Sequence, residues 1–259
     1  MKQILVMIDF SVNAAHAADY AFRLAACLQM DILLVHYTGQ KPPVDSGISE
    51  DWLEEQRLAQ QKAGVEKLRL LSVAVRKLAE SLDAGAYLPA VRYQWQDGAF
   101  DPRLAVYDPK STVGLLVAGS HEYLPGGKPS QDHARLLIEH GLRPLLIVPP
   151  DADFQPYRQI VFETSLAEEE MARLQTLIKL AEPFQAELVI TPVPLAKKLR
   201  DRAERFMAAI ARQSPYTHIR FQETLPVLKK PELAVPGGNF DKGQWPPAAL
   251  GQRVPLLVL

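Results

Sequence analysis

Gly126-Gly127-Lys128-Pro129-Ser130 offers the plainest chemistry in the chain. Two glycines and a lysine ahead of a helical pattern can bring backbone N–H groups and a positive charge around an anion. The run is not a nucleotide P-loop, because Pro129 stands where Ser or Thr should follow the lysine. A surface turn with Ser130 as helix cap explains the same residues, and a reorganised anion site using Gly127 and Ser130 is the alternative. His121-Glu122 and Asp132-His133 could meet around a metal, but they lack the spacing of a ligand motif. They read as a hydrated polar loop, and no metal is expected. His36 closes an apolar run and reads as a hydrogen-bonded structural histidine, while His16 has no evident acid partner. Neither a Gly-x-Ser-x-Gly elbow nor a G-x-G-x-x-G fingerprint occurs, so the expectation is a protein without catalytic residues.

The elements that must hold these residues alternate between strand and helix. Ile4 to Ile8 is a continuous apolar run, as in a parallel strand buried on both faces. Behind it Ala14, Ala18, Ala21, Phe22, Ala25 and Leu28 recur at helical spacing, with Ser11 or Asn13 placed to cap. Residues 32–37 form a second apolar run, giving a βαβ unit. A long helical pattern over 51–81 carries Leu58, Val65, Leu68, Leu71, Val75, Leu78 and Leu82 on one side. Residues 91–95, 113–119 and 144–148 supply further strands, with helices expected near 102–107 and after Ser130. This order predicts a doubly wound α/β sheet.

The opening is written twice. A shift of about 156 positions lays Gln3-Ile4-Leu5-Val6 on Gln159-Ile160-Val161-Phe162, and Asp31-Ile32-Leu33-Leu34 on Glu187-Leu188-Val189-Ile190. Leu24-Ala25 falls on Leu180-Ala181 and Gln29 on Gln185. Two domains are therefore expected, 1–149 and 157–259, joined by Pro149-Pro150-Asp151-Ala152-Asp153. The second continues with a helix over 195–212, whose basic residues read as a solvated face, and with strands at 218–221 and 233–235. Residues 237–254 are rich in Gly and Pro, so the second domain reads as reduced, lacking most of its last helix. Its final strand, Pro255 to Leu259, echoes Pro144 to Val148.

Composition narrows the partners. With 47% hydrophobic residues and a formal net charge of -1, the chain has material for a core and no charge excess for nucleic acid or an anionic membrane. The single cysteine, Cys27, excludes an intrachain disulfide framework and a Cys-based zinc site, and reads as a small hydrophobe on a helix. No stretch approaches membrane-span length, and a cytoplasmic protein is expected.

The order Ile-Leu-Val-x-x-Asp-Phe-Ser, an alanine-rich helix, Leu-Leu-Val-His, Leu-Leu-Val-Ala-Gly-Ser-His and Arg-Pro-Leu-Leu-Ile-Val-Pro resembles the universal stress protein family. The resemblance spans 3–149 and, more weakly, 157–259. It implies tandem Rossmann-like domains of the adenine nucleotide alpha hydrolase-like kind, each a parallel five-stranded sheet flanked by helices. One branch of the family binds ATP, through an Asp after the first strand, a hydrophobic residue ending the second, and a loop Gly-x-x-Gly, about nine residues, Gly-Ser/Thr. Carried over, Asp9 matches the Asp, Tyr37 the adenine-side position, and Gly119 and Ser120 the start of the loop. The pattern then fails. The second glycine falls on Glu122 and the final Gly-Ser on Gln131-Asp132. Two acids against a triphosphate repel it by about 1–4 kcal/mol each. In the second copy Ser165 replaces the Asp, Val193 replaces Tyr37, and Pro236-Gly237-Gly238 stands in for Ala118-Gly119-Ser120. The pyrophosphatase-type Ser-Gly-Gly-x-Asp-Ser loop of enzymes with this general fold is also absent.

The resemblance therefore implies a stress protein without a cofactor, working through a protein partner whose identity is unknown. Family members often pair through their last strands. Here Leu145–Val148 and Leu256–Val258 are expected to pair within one chain as an internal pseudo-dimer, with a homodimer of whole chains as a further alternative. A nucleotide (ATP or AMP) or other small-molecule sensor, or a weak ATPase, using one N-terminal crevice is the runner-up.

Overall fold

The computed structural model describes residues 2–38, 49–98, 113–119, 144–192, 199–223, 233–235 and 254–259. The chain divides into two compact units, Met1–Arg143 and Pro144–Leu259. Among the described residues no helix is long and apolar enough to cross a membrane.

In the first unit β1 (Gln3–Met7), β2 (Asp31–Tyr37), β3 (Val91–Gln96) and β4 (Val113–Gly119) lie in the order β3-β2-β1-β4. All three pairings are parallel. The apolar run of β1 is buried from Ile4 through Ile8, as a strand covered on both faces must be. Helix α1 (Val12–Leu28) starts where Ser11 Oγ accepts the N–H of Ala14 at 3.0 Å, so Ser11 and not Asn13 is the cap. Its buried Ala14, Ala17, Ala18, Ala21 and Ala25 let the helix axis lie close to the strands, with Phe22 filling the remaining space. It ends on Gln29, whose left-handed backbone (φ +53°) turns the chain into β2. Helix α2 (Glu50–Lys77) runs on as a 3₁₀ turn, Leu78–Ser81.

Leu68 and Val75 of the expected α2 stripe are buried, and Leu71 and Val65 are half-buried. Leu58 is not part of that core: it is 54% exposed. The buried stripe begins at Gly64, and residues 54–60 are all exposed.

The second unit holds β5 (Leu145–Val148), β6 (Gln159–Thr164), β7 (Glu187–Pro192), β8 (Ile219–Phe221), β9 (Leu233–Val235) and β10 (Leu256–Val258). Their order is β5-β10-β9-β6-β7-β8. Every pairing is parallel except β5 with β10, where Leu145, Leu146 and Ile147 run antiparallel to Val258, Leu257 and Leu256. All six of these side chains are buried. Its described α-helices are α3 (Met171–Ala181), flanked by 3₁₀ turns at Glu168–Glu170 and Glu182–Phe184, and α4 (Leu199–Gln213). Just beyond the expected linker, Tyr157 is 1% exposed and packs its ring 4.9 Å from that of Phe184.

The internal repeat has a geometric counterpart. Gln3 pairs with Asp31 and Gln159 with Glu187, and the next four pairs keep the same 156-residue shift. Among the described residues, the non-glycine residues with positive φ form two pairs at that spacing, Phe10 with Leu166 and Gln29 with Gln185. Left-handed backbone is costly for a side chain with a Cβ, so both halves hold the same two strained turns. The edge of each sheet repeats too. Arg92 donates to Gln3 and lies 3.7 Å from Asp31, while Arg220 bonds Glu187 at 2.9 Å and Gln159 donates to that same Glu187.

Candidate functional site

Asp9, Tyr37 and Gly119 come together because β2, β1 and β4 are neighbours and each ends at the same edge of the sheet. Open α/β sheets bind ligands at that carboxyl edge. Ser120, Gly127 and Ser130, with Glu122, the histidines at 121 and 133 and the expected helix after Ser130, lie outside the described residues. So do the helix expected at 102–107 and the Gly- and Pro-rich stretch 237–253.

Each of the three residues has a structural task. Asp9 is half-buried, and its Oδ1 accepts the N–H of Ser11 at 2.9 Å across the left-handed Phe10 (φ +64°). Asp9 thus closes the turn that brings Ser11 to the cap of α1. Tyr37 ends β2 half-buried, and burial pushes its phenol up, keeping the hydroxyl protonated. Gly119 ends β4 against the first turn of α1. A Cβ there would lie 2.6 Å from the carbonyl oxygen of Asn13 and 2.8 Å from its carbon, so only glycine permits this approach.

Beside this edge lies a cluster the sequence did not reveal. His36 Nδ1 sits 2.6 Å from the carbonyl of Ile8, fixing the histidine as a structural link between β2 and the end of β1. Its ring lies between Phe10, 4.5 Å away, and Trp95, 4.7 Å away. The ammonium of Lys67 stands 5.4 Å from the Phe10 ring centre. Trp95 fills the recess at Gly64, where a Cβ would come within 1.7 Å of the indole. The available signal was Gly64 itself: a glycine inside a helix costs about 1 kcal/mol relative to alanine and points to a close neighbour.

In the second unit the matching turn is built differently. Thr164 Oγ1 accepts the N–H of Leu166 at 2.9 Å, and Leu166 takes the left-handed conformation (φ +61°). The carboxylate of Glu170 accepts from the Thr164 hydroxyl and from Ser165 N–H, the latter at 3.0 Å. Glu170 stands 156 residues after Ala14. The acid missing at Ser165 is replaced by one from the helix start, and that carboxylate, 8% exposed, lies in the mouth of the second unit's own strand edge. Elsewhere, burial raises the Cys27 thiol, which disfavours the reactive thiolate.

A parallel sheet with helices, the β1–α1 turn and the glycine ending β4 define an α/β protein of Rossmann-like type. The chain belongs to the universal stress protein family, which matches residues 1–149. No curated protein matches it significantly. Among solved structures, it is similar to a universal stress protein from Archaeoglobus fulgidus DSM 4304, with 12% identity, TM-score 0.65, and coverage of 99% of this chain and 97% of that one. It is also similar to the cytoplasmic domain of a prokaryotic cation chloride cotransporter, with 13% identity, TM-score 0.54, and coverage of 99% and 94%. A functionally unknown protein from Pseudomonas aeruginosa PAO1 follows at 14% identity, TM-score 0.53, and coverage of 100% and 92%. At these identities the likeness is one of fold.

Proposed function

We propose that this chain is a tandem universal stress protein of the type that does not bind ATP, acting in stress adaptation through protein interactions, its two halves joined as an internal pseudo-dimer. The observation that carries the reading is the antiparallel register of Leu145–Ile147 on Leu256–Val258. It pairs the last strand of the family-matched segment with Leu256–Val258, a contact of the kind through which family members often pair. The sequence supports the loss of nucleotide, since acids stand at 122 and 132 where phosphates would lie. In the second unit Glu170 adds a carboxylate at the strand edge, which opposes a phosphate there. No catalytic group is assigned.

Two experiments test this. Calorimetric titration of the full chain with ATP and AMP should give no binding below millimolar concentration. Submillimolar ATP binding abolished by Asp9→Ala would instead establish the alternative, a nucleotide or other small-molecule sensor in the first unit. That alternative draws its support from Asp9, Tyr37 and Gly119 ending three adjacent strands. Residues 1–150 alone should dimerise or aggregate through the freed edge of 145–148; a well-folded monomer would count against the pseudo-dimer.

A further inference from the structure

The second unit has an open hollow of about 560 Å³ between the residues after β6 and one face of α4. Its buried floor is Leu166, Met171 and Phe206, and Arg202, Arg205 and Ala209 rise beside it. On α4 these last three, with Phe206, recur at helical spacing and form one stripe. The family-matched unit fills the corresponding place with its own rings. Phe10, His36 and Trp95 stack there, and Gly64 receives the indole. By the 156-residue shift the second unit has Leu166 for Phe10 and Pro192 for His36, and continuing the β7–β8 register two residues past Phe221 brings Glu223 opposite Pro192. Of these, Leu166 lines the hollow, an aliphatic side chain where the first unit has the ring of Phe10.

The charge at this cavity is specific. Arg202 donates one bond, to the Ser165 carbonyl at 3.1 Å, and Arg205 donates one, to the Asp201 carbonyl at 3.2 Å. Neither guanidinium forms an ion pair among the described residues, although Glu168 also stands on the rim. A guanidinium presents five donors in a planar fork suited to a carboxylate. Small-molecule sites are typically apolar hollows of about 300–1,000 Å³ with a few placed polar groups. We propose that this cavity binds a small amphipathic carboxylate. Its acid group lies between Arg202 and Arg205, and its acyl or aryl body rests on Leu166, Met171 and Phe206. The site is separate from the Asp9 edge and owes nothing to nucleotide recognition.

The test uses the full chain, with decanoate as probe and decanol as the neutral compound of equal length, followed by calorimetry. Decanoate should bind one to one, at least about tenfold more tightly than decanol. Arg205→Gln, an exposed change, should weaken decanoate about tenfold and leave decanol unaltered. Ala209→Phe, which fills the hollow, should abolish decanoate binding, with thermal melting confirming that the variant folds. Asp9→Ala should leave decanoate affinity unchanged. The proposal is overturned by absent decanoate binding, by equal affinity for the alcohol, by full binding in Ala209→Phe, or by loss of binding in Asp9→Ala.

Discussion

The turn from β1 into α1 and the turn from β6 into α3 share one backbone plan, with a left-handed residue at Phe10 and Leu166, and are held by different chemistry. In the first, Asp9 accepts the N–H of Ser11 and Ser11 caps the helix, a relay between neighbours in sequence. In the second, Ala167 offers no cap, and the helix opens as a 3₁₀ turn over Glu168–Glu170, three acids that favour a helix N-terminus. Glu170 then folds back to hold Thr164 and Ser165. The geometry of a turn can thus outlast the side chains that first secured it. The replacement has a consequence for function. The first turn has small Ala14 at its helix start, and Gly119 closes directly on that backbone, whereas the second turn points a buried carboxylate into its own strand edge. One turn is closed by a relay between sequence neighbours, the other by a carboxylate from its own helix start.

If that contrast holds, Glu170→Ala should be the most damaging of the paired changes. It orphans a buried hydroxyl and a turn N–H, at about 2–4 kcal/mol by chemical denaturation. Asp9→Ala, at a half-exposed turn, should cost about 0.5–2 kcal/mol. The reverse ranking would break the comparison. Gly119→Ala drives a methyl into the Asn13 backbone and should cost about 1–3 kcal/mol; a neutral result would mean the first edge is looser than described.

The sheet edges give a subtler contrast under acid. Hydrogen bonds from Arg220, then Gln159, hold the Glu187 carboxyl below its ordinary 4.5. A carboxylate with a lowered folded value stabilises above its unfolded value and loses that contribution as pH falls through the folded one. Glu187→Gln should therefore flatten the acid limb of the stability curve below about pH 4.5. At a side chain 40% exposed the effect at neutral pH should stay under about 1 kcal/mol. Smallest of all, Gln29→Gly should raise stability by about 0.5–1 kcal/mol by relieving left-handed backbone at an exposed cap. Gln185→Gly should gain less, because the Gln185 side chain also donates to the Glu182 carbonyl at 2.9 Å. Equal gains would show that this bond contributes nothing.

Much of the fold was legible from one sequence. Apolar runs such as Ile4–Ile8 have no partner but a two-sided core, the alanines at 14, 18, 21 and 25 share a helix face, and an ungapped 156-residue shift carried both strands of the first βαβ unit together. Asp9, Tyr37 and Gly119 were named through the family resemblance, and each stands at or just past the end of a strand. The rest was not, because it depends on neighbours remote in sequence. Nothing around Leu58 says that residues 54–60 of α2 stand exposed. Nothing near Gly64 names Trp95, and Glu170 reads as one of three acids until the chain folds it back on Ser165.

The sequence by itself determined the periodicities, the repeat and the family, since these reside in the order of residue types. Tertiary structure alone decided which side chains share a space. It set the antiparallel direction in which Leu145–Ile147 meets Leu256–Val258, and it stacked Phe10, His36 and Trp95. Such contacts are fixed by strand order and register, which bring together groups dozens of residues apart, and no local pattern of residue types encodes that distance.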